Sequence, residues 1–169
     1  FTWWLESMKE KLEKKAAEVP GVKNVHTEVG PDYYPDRYRD ELKLPPRVLL
    51  VDDEREFVET LSERLQARSM EPALAFNGED ALAQVEKDKP DVMVLDLKMP
   101  GIDGMEVLRR IKTEHPATEV IILTGHGSEK DEALAMELGA FAYLQKPVDI
   151  NVLTDVMKEA YRKVREAGA

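Results

Sequence analysis

No cysteine occurs among the 169 residues. That removes disulfides, thiolate metal sites and thiol nucleophiles together, and it suits a reducing compartment such as the cytoplasm. Basic residues are also in deficit: 24 Lys and Arg face 34 Asp and Glu, giving a formal charge of -10 and a pI of about 4.9. A surface of that sign repels phosphate backbones, so direct nucleic acid binding by this chain is not expected. No stretch approaches the ~18 uninterrupted apolar residues of a transmembrane segment, and the chain does not open with a basic region followed by an apolar one. It begins at Phe1 rather than Met, as a piece of a longer protein would. What is present is 43% hydrophobic and 34% charged residues, enough to fill a core beneath a charged surface. At the usual domain size this length allows one domain plus an appendage.

The division falls near Lys43 to Arg47, where the polar stretch Gly30 to Leu44 ends in Pro45-Pro46. Residues 1–45 read as an N-terminal extension and residues 46–167 as the main domain. In the extension, Trp4 or Leu5, Met8, Leu12, Ala16 and Val19 recur at three- and four-residue spacing opposite Glu6, Lys9, Glu10, Glu13 and Lys14. That pattern is an amphipathic helix, stopped by Pro20-Gly21. Val25, Thr27 and Val29 alternate with His26 and Glu28 as in a short strand, and Asp32 to Arg39 reads as a polar connector. Trp3 and Trp4 are expected in a helix core or an oligomer contact.

From Arg47 onward, apolar runs alternate with amphipathic stretches. The runs are Val48 to Val51, Ala73 to Phe76, Val92 to Leu95, Val120 to Leu123 and Ala140 to Leu144. The helical patterns are Glu56 to Arg68 (with Phe57, Leu61 and Leu65 inward), Glu79 to Lys87, Met105 to Thr113, Glu129 to Leu138 and Ile150 to Arg165. Ser128 with Asp131 predicts a capping box, Asp149 an N-cap, and Gly139 a left-handed helix end. Five such repeats, with runs too apolar to face water on either side, predict an α/β, doubly wound, five-stranded parallel sheet covered by helices on both faces. Met99, Met105 and Met136 are expected in the core, Gly101 and Gly104 in turns, and His26, His115 and His126 at the surface.

Ligands of an open parallel sheet sit beyond the carboxyl ends of its strands. There the runs end in Asp52-Asp53-Glu54, Asp96, Thr124-Gly125 and Lys146-Pro147. Singly these are unremarkable: an Asp-Asp pair is most often surface charge or a helix cap. Jointly, on this fold, Asp52, Asp53, Asp96, Thr124 and Lys146 would meet at one edge: three carboxylates, a hydroxyl and an ammonium. Neighbouring carboxylates repel, and a hard divalent cation with oxygen ligands relieves them; magnesium suits best, because it accepts few protein carboxylates and shares phosphate oxygens. A carboxylate nucleophile facing a metal, a lysine and a hydroxyl is the equipment of phosphoryl transfer, with Asp96 as acceptor.

The segments Val51-Asp52-Asp53-Glu54, Val94 to Gly104 (VLDLKMPGIDG), Ile121-Ile122-Leu123-Thr124-Gly125 and Tyr143-Leu144-Gln145-Lys146-Pro147 resemble the receiver domains of bacterial two-component response regulators, over roughly residues 46–167. The resemblance implies a flavodoxin-like strand order of 2-1-3-4-5. It implies that Asp96 takes a phosphoryl group from the phosphohistidine of a sensor histidine kinase or phosphotransfer protein. Asp52 and Asp53 would hold Mg2+ with Asp96 and the backbone carbonyl of Lys98, while Lys146 pairs with the phosphate. Thr124 would shift toward a phosphate oxygen, and Tyr143 would turn as the aromatic switch. Lys146-Pro147 would be cis. Lys98 and His126 would tune phosphoryl lifetime.

The expectation is thus a cytoplasmic phosphoacceptor switch, not a metabolic enzyme. It would deliver its response by changed partner contacts, or as a homodimer through the main domain's fourth helix (Glu129 to Leu138), fifth strand (Ala140 to Leu144) and fifth helix (Ile150 to Arg165), or through the extension. Two rivals share the chemistry or the fold: a phosphohydrolase working through an aspartyl-phosphate, and a scaffold that only dimerises. The first usually needs a carboxylate two residues after its nucleophile, where Lys98 stands.

Overall fold

Apolar runs and amphipathic stretches become strands and helices in strict alternation. A computed structural model describes residues 2–21 and 46–168, with side chains from residue 9 in the first segment. By chain contacts the molecule forms two units, Phe1–Leu44 and Pro45–Ala169. In the first, α1 spans Thr2–Ala17. It ends before Val19, which is 54% exposed rather than part of the apolar stripe: the turn into Pro20 carries it off the helix. The strand expected over Val25–Val29, the connector Asp32–Arg39, His26 and the side chains of Trp3 and Trp4 lie outside the described residues.

In the second unit the order is β1 (Val48–Val51), α2 (Arg55–Gln66), β2 (Ala73–Ala75), α3 (Gly78–Lys87), β3 (Val92–Leu95), α4 (Gly104–Glu114), β4 (Glu119–Thr124), α5 (Glu129–Glu137), β5 (Ala142–Gln145) and α6 (Ile150–Ala167). All strands are parallel, in the order β2-β1-β3-β4-β5. This is the expected flavodoxin-like sheet. Successive side chains alternate across a strand. Leu49, Val51, Met93, Leu95, Val120 and Ile122 therefore meet α3, α4 and α5 through Val85, Leu108, Ile111 and Ala135. Val48, Leu50, Val92, Val94, Ile121 and Leu123 meet α2 and α6 through Val58, Leu65, Leu153 and Met157 on the other face. The continuous apolar character of β1, β3 and the Val120–Leu123 stretch of β4 is the signature of a strand buried on both sides.

Helix starts are fixed by side-chain caps at Asn77, Asp103, Ser128 and Asp149, and Ser128 with Asp131 forms the full reciprocal box. Gly139 has φ +102, and Lys146-Pro147 is cis. Three expectations need correction. The runs Ala73 to Phe76 and Ala140 to Leu144 are not shielded from water on both sides: the strands they form, β2 and β5, are the edge strands, each with one neighbour, and both are partly exposed. Met136 is 45% exposed rather than core, because α5 turns Ala135 inward and Met136 out. His115 is no free surface histidine: its side chain is 10% exposed and its Nε2 lies 2.8 Å from Glu86 Oε1.

Candidate phosphoacceptor site

The register of the sheet aligns the strand ends. Val51 pairs with Leu95, Leu95 with Ile122 and Thr124 with Gln145, so Asp52, Asp96, Thr124 and Lys146 come out along one edge. Three of these are also anchored by their own amides: Asp52 N–H donates to Ala75 O (3.1 Å), Asp96 N–H to Val51 O (2.9 Å) and Lys146 N–H to Thr124 O (3.0 Å). Backbone positions are thereby set by the ladder, and the side chains beyond it face the crevice.

Asp52, Asp53 and Asp96 each bring a carboxylate oxygen within 4.8 Å of the others. Asp52 and Asp96 are buried and Asp53 is exposed. Burial pushes the Asp96 carboxyl up, against the opposing pull of the Thr124 hydroxyl, the Lys146 ammonium and the Leu97 amide; the charge of Asp53 adds to the rise. Asp52 is also raised, first by burial and then by Asp96, against the hydrogen bond from Lys146 and that from the Glu54 amide (2.9 Å). Both acids are thus held where their negative charge is under-compensated. Asp96 Oδ1 is buried without a hydrogen-bond partner. Converging carboxylates with an orphaned oxygen fit a hard divalent cation, which would supply the missing charge.

Lys146 enters from β5. Its Nζ donates to Asp52 Oδ2 at 2.6 Å and to Glu54 Oε1 at 3.1 Å, and stands 4.2 Å from the centre of the Phe57 ring. Burial works against its charge, but Asp52, Glu54 and Asp96 together outweigh that and leave its pKa raised. Thr124 is fully buried as the last residue of β4, and its Oγ1 accepts from the His126 amide at 3.4 Å. His126 itself is exposed.

Tyr143 lies against the α4 side of the core, with its hydroxyl buried and unpartnered. Burial and the charges of Asp131, Glu132 and Asp96 raise its pKa. Its Oη occupies the space a side chain at Gly127 would need: an ideal Cβ there would fall 1.4 Å from it and 3.0 Å from Thr124 Cγ2. Lys98 is exposed and lines, with Leu97, Met99, Pro100, Asp103, Met105 and Asp131, a groove of about 460 Å³ beside the turn that follows Asp96.

Asp52, Asp53, Asp96, Thr124 and Lys146 thus meet at this edge, with Tyr143 packed in the core beside Thr124 and Gly127, and Lys146 is bonded to Asp52 and Glu54 rather than to Asp96. Three contributors escaped the sequence reading: Glu54, Phe57 and Gly127. Glu54 was visible as the third acid of its run, while Phe57 reads as a core position of α2. Nothing in the sequence reports the contact at Gly127.

A family profile described as response regulator receiver domain matches residues 48–158. Among curated proteins, the transcriptional regulatory protein ZraR of Salmonella typhimurium is 35% identical over 122 residues, covering 72% of this chain and 28% of that protein. The transcriptional regulatory protein CpxR of Klebsiella pneumoniae is 38% identical over 117 residues, covering 69% and 50%. The chain thus spans half or less of the length of these two relatives. Among solved structures, a response regulator receiver domain protein from Clostridium thermocellum superposes with a TM-score of 0.70 at 34% identity, over 73% of this chain and 99% of that one.

Proposed function

This chain belongs to the response regulator receiver family, and on that premise we propose that Asp96 accepts a phosphoryl group from the phosphohistidine of a sensor histidine kinase or phosphotransfer protein. A carboxylate oxygen of Asp96 forms the bond to phosphorus while the phosphorus–nitrogen bond breaks and the imidazole leaves. Asp52, Asp53 and Asp96, with the backbone carbonyl of Lys98, would hold a magnesium ion, which supplies positive charge to the phosphoryl oxygens. Lys146 pairs with the phosphoryl group once it leaves its present carboxylates. The Thr124 hydroxyl, already drawing on Asp96, follows the new oxygens. Movement of Thr124 relieves or loads Tyr143 through the contact around Gly127, and so carries the change to α5 and β5.

The role is signalling in kind, and turnover of a separate substrate is no part of it. We place the protein in the cytoplasm; no helix among the described residues is long and apolar enough to cross a membrane. Leu134 and Met136, 43% and 45% exposed on α5 beside the half-buried edge strand β5, support a homodimer or partner contact on that face. The observation that carries the reading is the meeting of three carboxylates and Lys146 around an orphaned Asp96 oxygen. The test is labelling by acetyl phosphate and by candidate kinases in Mg2+. One phosphoryl group per chain, abolished by Asp96→Asn, is expected. Steady release of phosphate from a small phosphoester, or undiminished labelling of the variant, would overturn it.

A further inference from the structure

Phosphoryl acceptance gives Lys146 one partner, yet the structure shows its ammonium engaged elsewhere. Nζ sits between Asp52 Oδ2 (2.6 Å) and Glu54 Oε1 (3.1 Å), over the ring of Phe57. Asp52 belongs to the carboxylate cluster suited to a metal; Glu54 does not. The hold of Glu54 on the lysine is therefore separate from the metal set. Glu54 is the N-cap of α2, but its side chain makes no capping hydrogen bond, so helix initiation does not account for where the carboxylate points. Phe57 follows three residues later on the same side of the helix start, and together the two form a cradle of one carboxylate and one aromatic face.

Resting on the reading of Asp96 as acceptor, we propose that Glu54 is a positioning residue for that reaction, retaining Lys146 on the β1 side of the crevice in competition with the phosphoryl group. The competition is graded by exposure. The Lys146 side chain is 13% exposed, but that of Glu54 is 60% exposed, so water screens the pair and its hold is modest. A phosphoryl group on Asp96 offers a doubly charged, more buried acceptor and wins the lysine. The pair accordingly sets a threshold that phosphorylation crosses and that chance movement of the lysine crosses less often.

The experiment compares wild type with Glu54→Gln, which keeps size and removes charge. Two quantities are read: the mobility of the Lys146 side chain by 13Cε relaxation in metal-free protein, and the affinity for beryllofluoride at saturating Mg2+. In the variant, Lys146 mobility is expected to rise and beryllofluoride to bind roughly two- to five-fold more tightly, as loss of an exposed ion pair implies. Unchanged mobility overturns the proposal even if affinity rises, because Glu54 would then act only as a nearby negative charge. Increased mobility with unchanged affinity overturns it too, because the contact would not oppose the phosphoryl group. If wild type itself fails to bind beryllofluoride, the acceptor assignment fails instead.

Discussion

Gly104 is the most exacting position in the acceptor loop, and Gly104→Ala is its direct test. A Cβ at 104 would fall 2.1 Å from the carbonyl oxygen of Asp96, 2.6 Å from Leu97 Cα and 2.9 Å from the Asp96 carbonyl carbon. Carbon–oxygen contacts ordinarily begin near ~3.3 Å, so roughly an ångström of movement is required. Every atom in the way is backbone, hence no rotamer change can supply it. The Gly104 amide also donates to Leu97 O at 2.8 Å and ties helix α4 to that backbone. Helix propensity alone would favour alanine by up to ~1 kcal/mol, so a net loss can only be steric. We expect a loss of about 1–3 kcal/mol, as for overpacked sites. Phosphorylation should slow by as much as ~100-fold, because the acceptor carboxylate shifts with its own carbonyl. Urea unfolding gives the first quantity and acetyl phosphate labelling of the folded variant the second. Gly125→Ala is the stability control, since its Cβ would meet only Lys146 carbons at 3.8 Å. If Gly104→Ala is as stable as wild type and accepts phosphoryl at the same rate, the close-approach argument is wrong.

Asp96→Asn should stabilise the metal-free protein at neutral pH. The native pKa of Asp96 is raised, so its contribution to stability is present below the unfolded value and lost as pH rises through the folded one. The variant's advantage in melting temperature should therefore vanish in acid; an advantage that persists below pH 3 refutes this account. Mg2+ should stabilise wild type by about 1.4 kcal/mol at ten times its dissociation constant, and Asp53→Asn should lose most of that thermal shift. Tyr143→Phe should be neutral or stabilising by up to ~1–2 kcal/mol in denaturant unfolding, because the hydroxyl it removes is buried without a partner. Gly127→Ala should expel the Tyr143 ring from its site, visible as a change in that ring's NMR shifts, since the new Cβ and the hydroxyl cannot coexist.

The fold was legible because β1 and β3 carry no polar residue on either face until they end. Val48 to Val51 and Val92 to Leu95 can only be strands sandwiched between helices, and their first polar successors, Asp52 and Asp96, mark the crevice. Caps were equally legible, since Ser128 and Asp149 act over three residues or fewer. Exposure at the sheet edges was not. Leu74 and Leu144 look as apolar as Leu50, and only strand order tells that one side of their sheet is missing. Buried acids outside the site also gave no sign: Glu119 is 5% exposed and lies within reach of Lys163 at 3.1 Å and Lys112 at 3.7 Å, partners from α6 and α4. In the site itself, residue identity was readable but pairing was not. Whether Lys146 prefers Asp52, Glu54 or Asp96 depends on tenths of an ångström that no spacing encodes.

The bond between Lys146 and Asp52 closes a loop of 94 residues, and β5, which delivers the lysine, is held to the sheet through β4 alone. A chain in which β1, β3 and their helices have assembled but this strand has not docked already owns Asp96, the proposed acceptor, yet lacks the ammonium proposed to serve it. Competence to carry a signal consequently depends on that edge being docked and is forfeited wherever it peels away. The lysine contact thereby makes the site report on its own far edge: only a copy with β5 in place can answer.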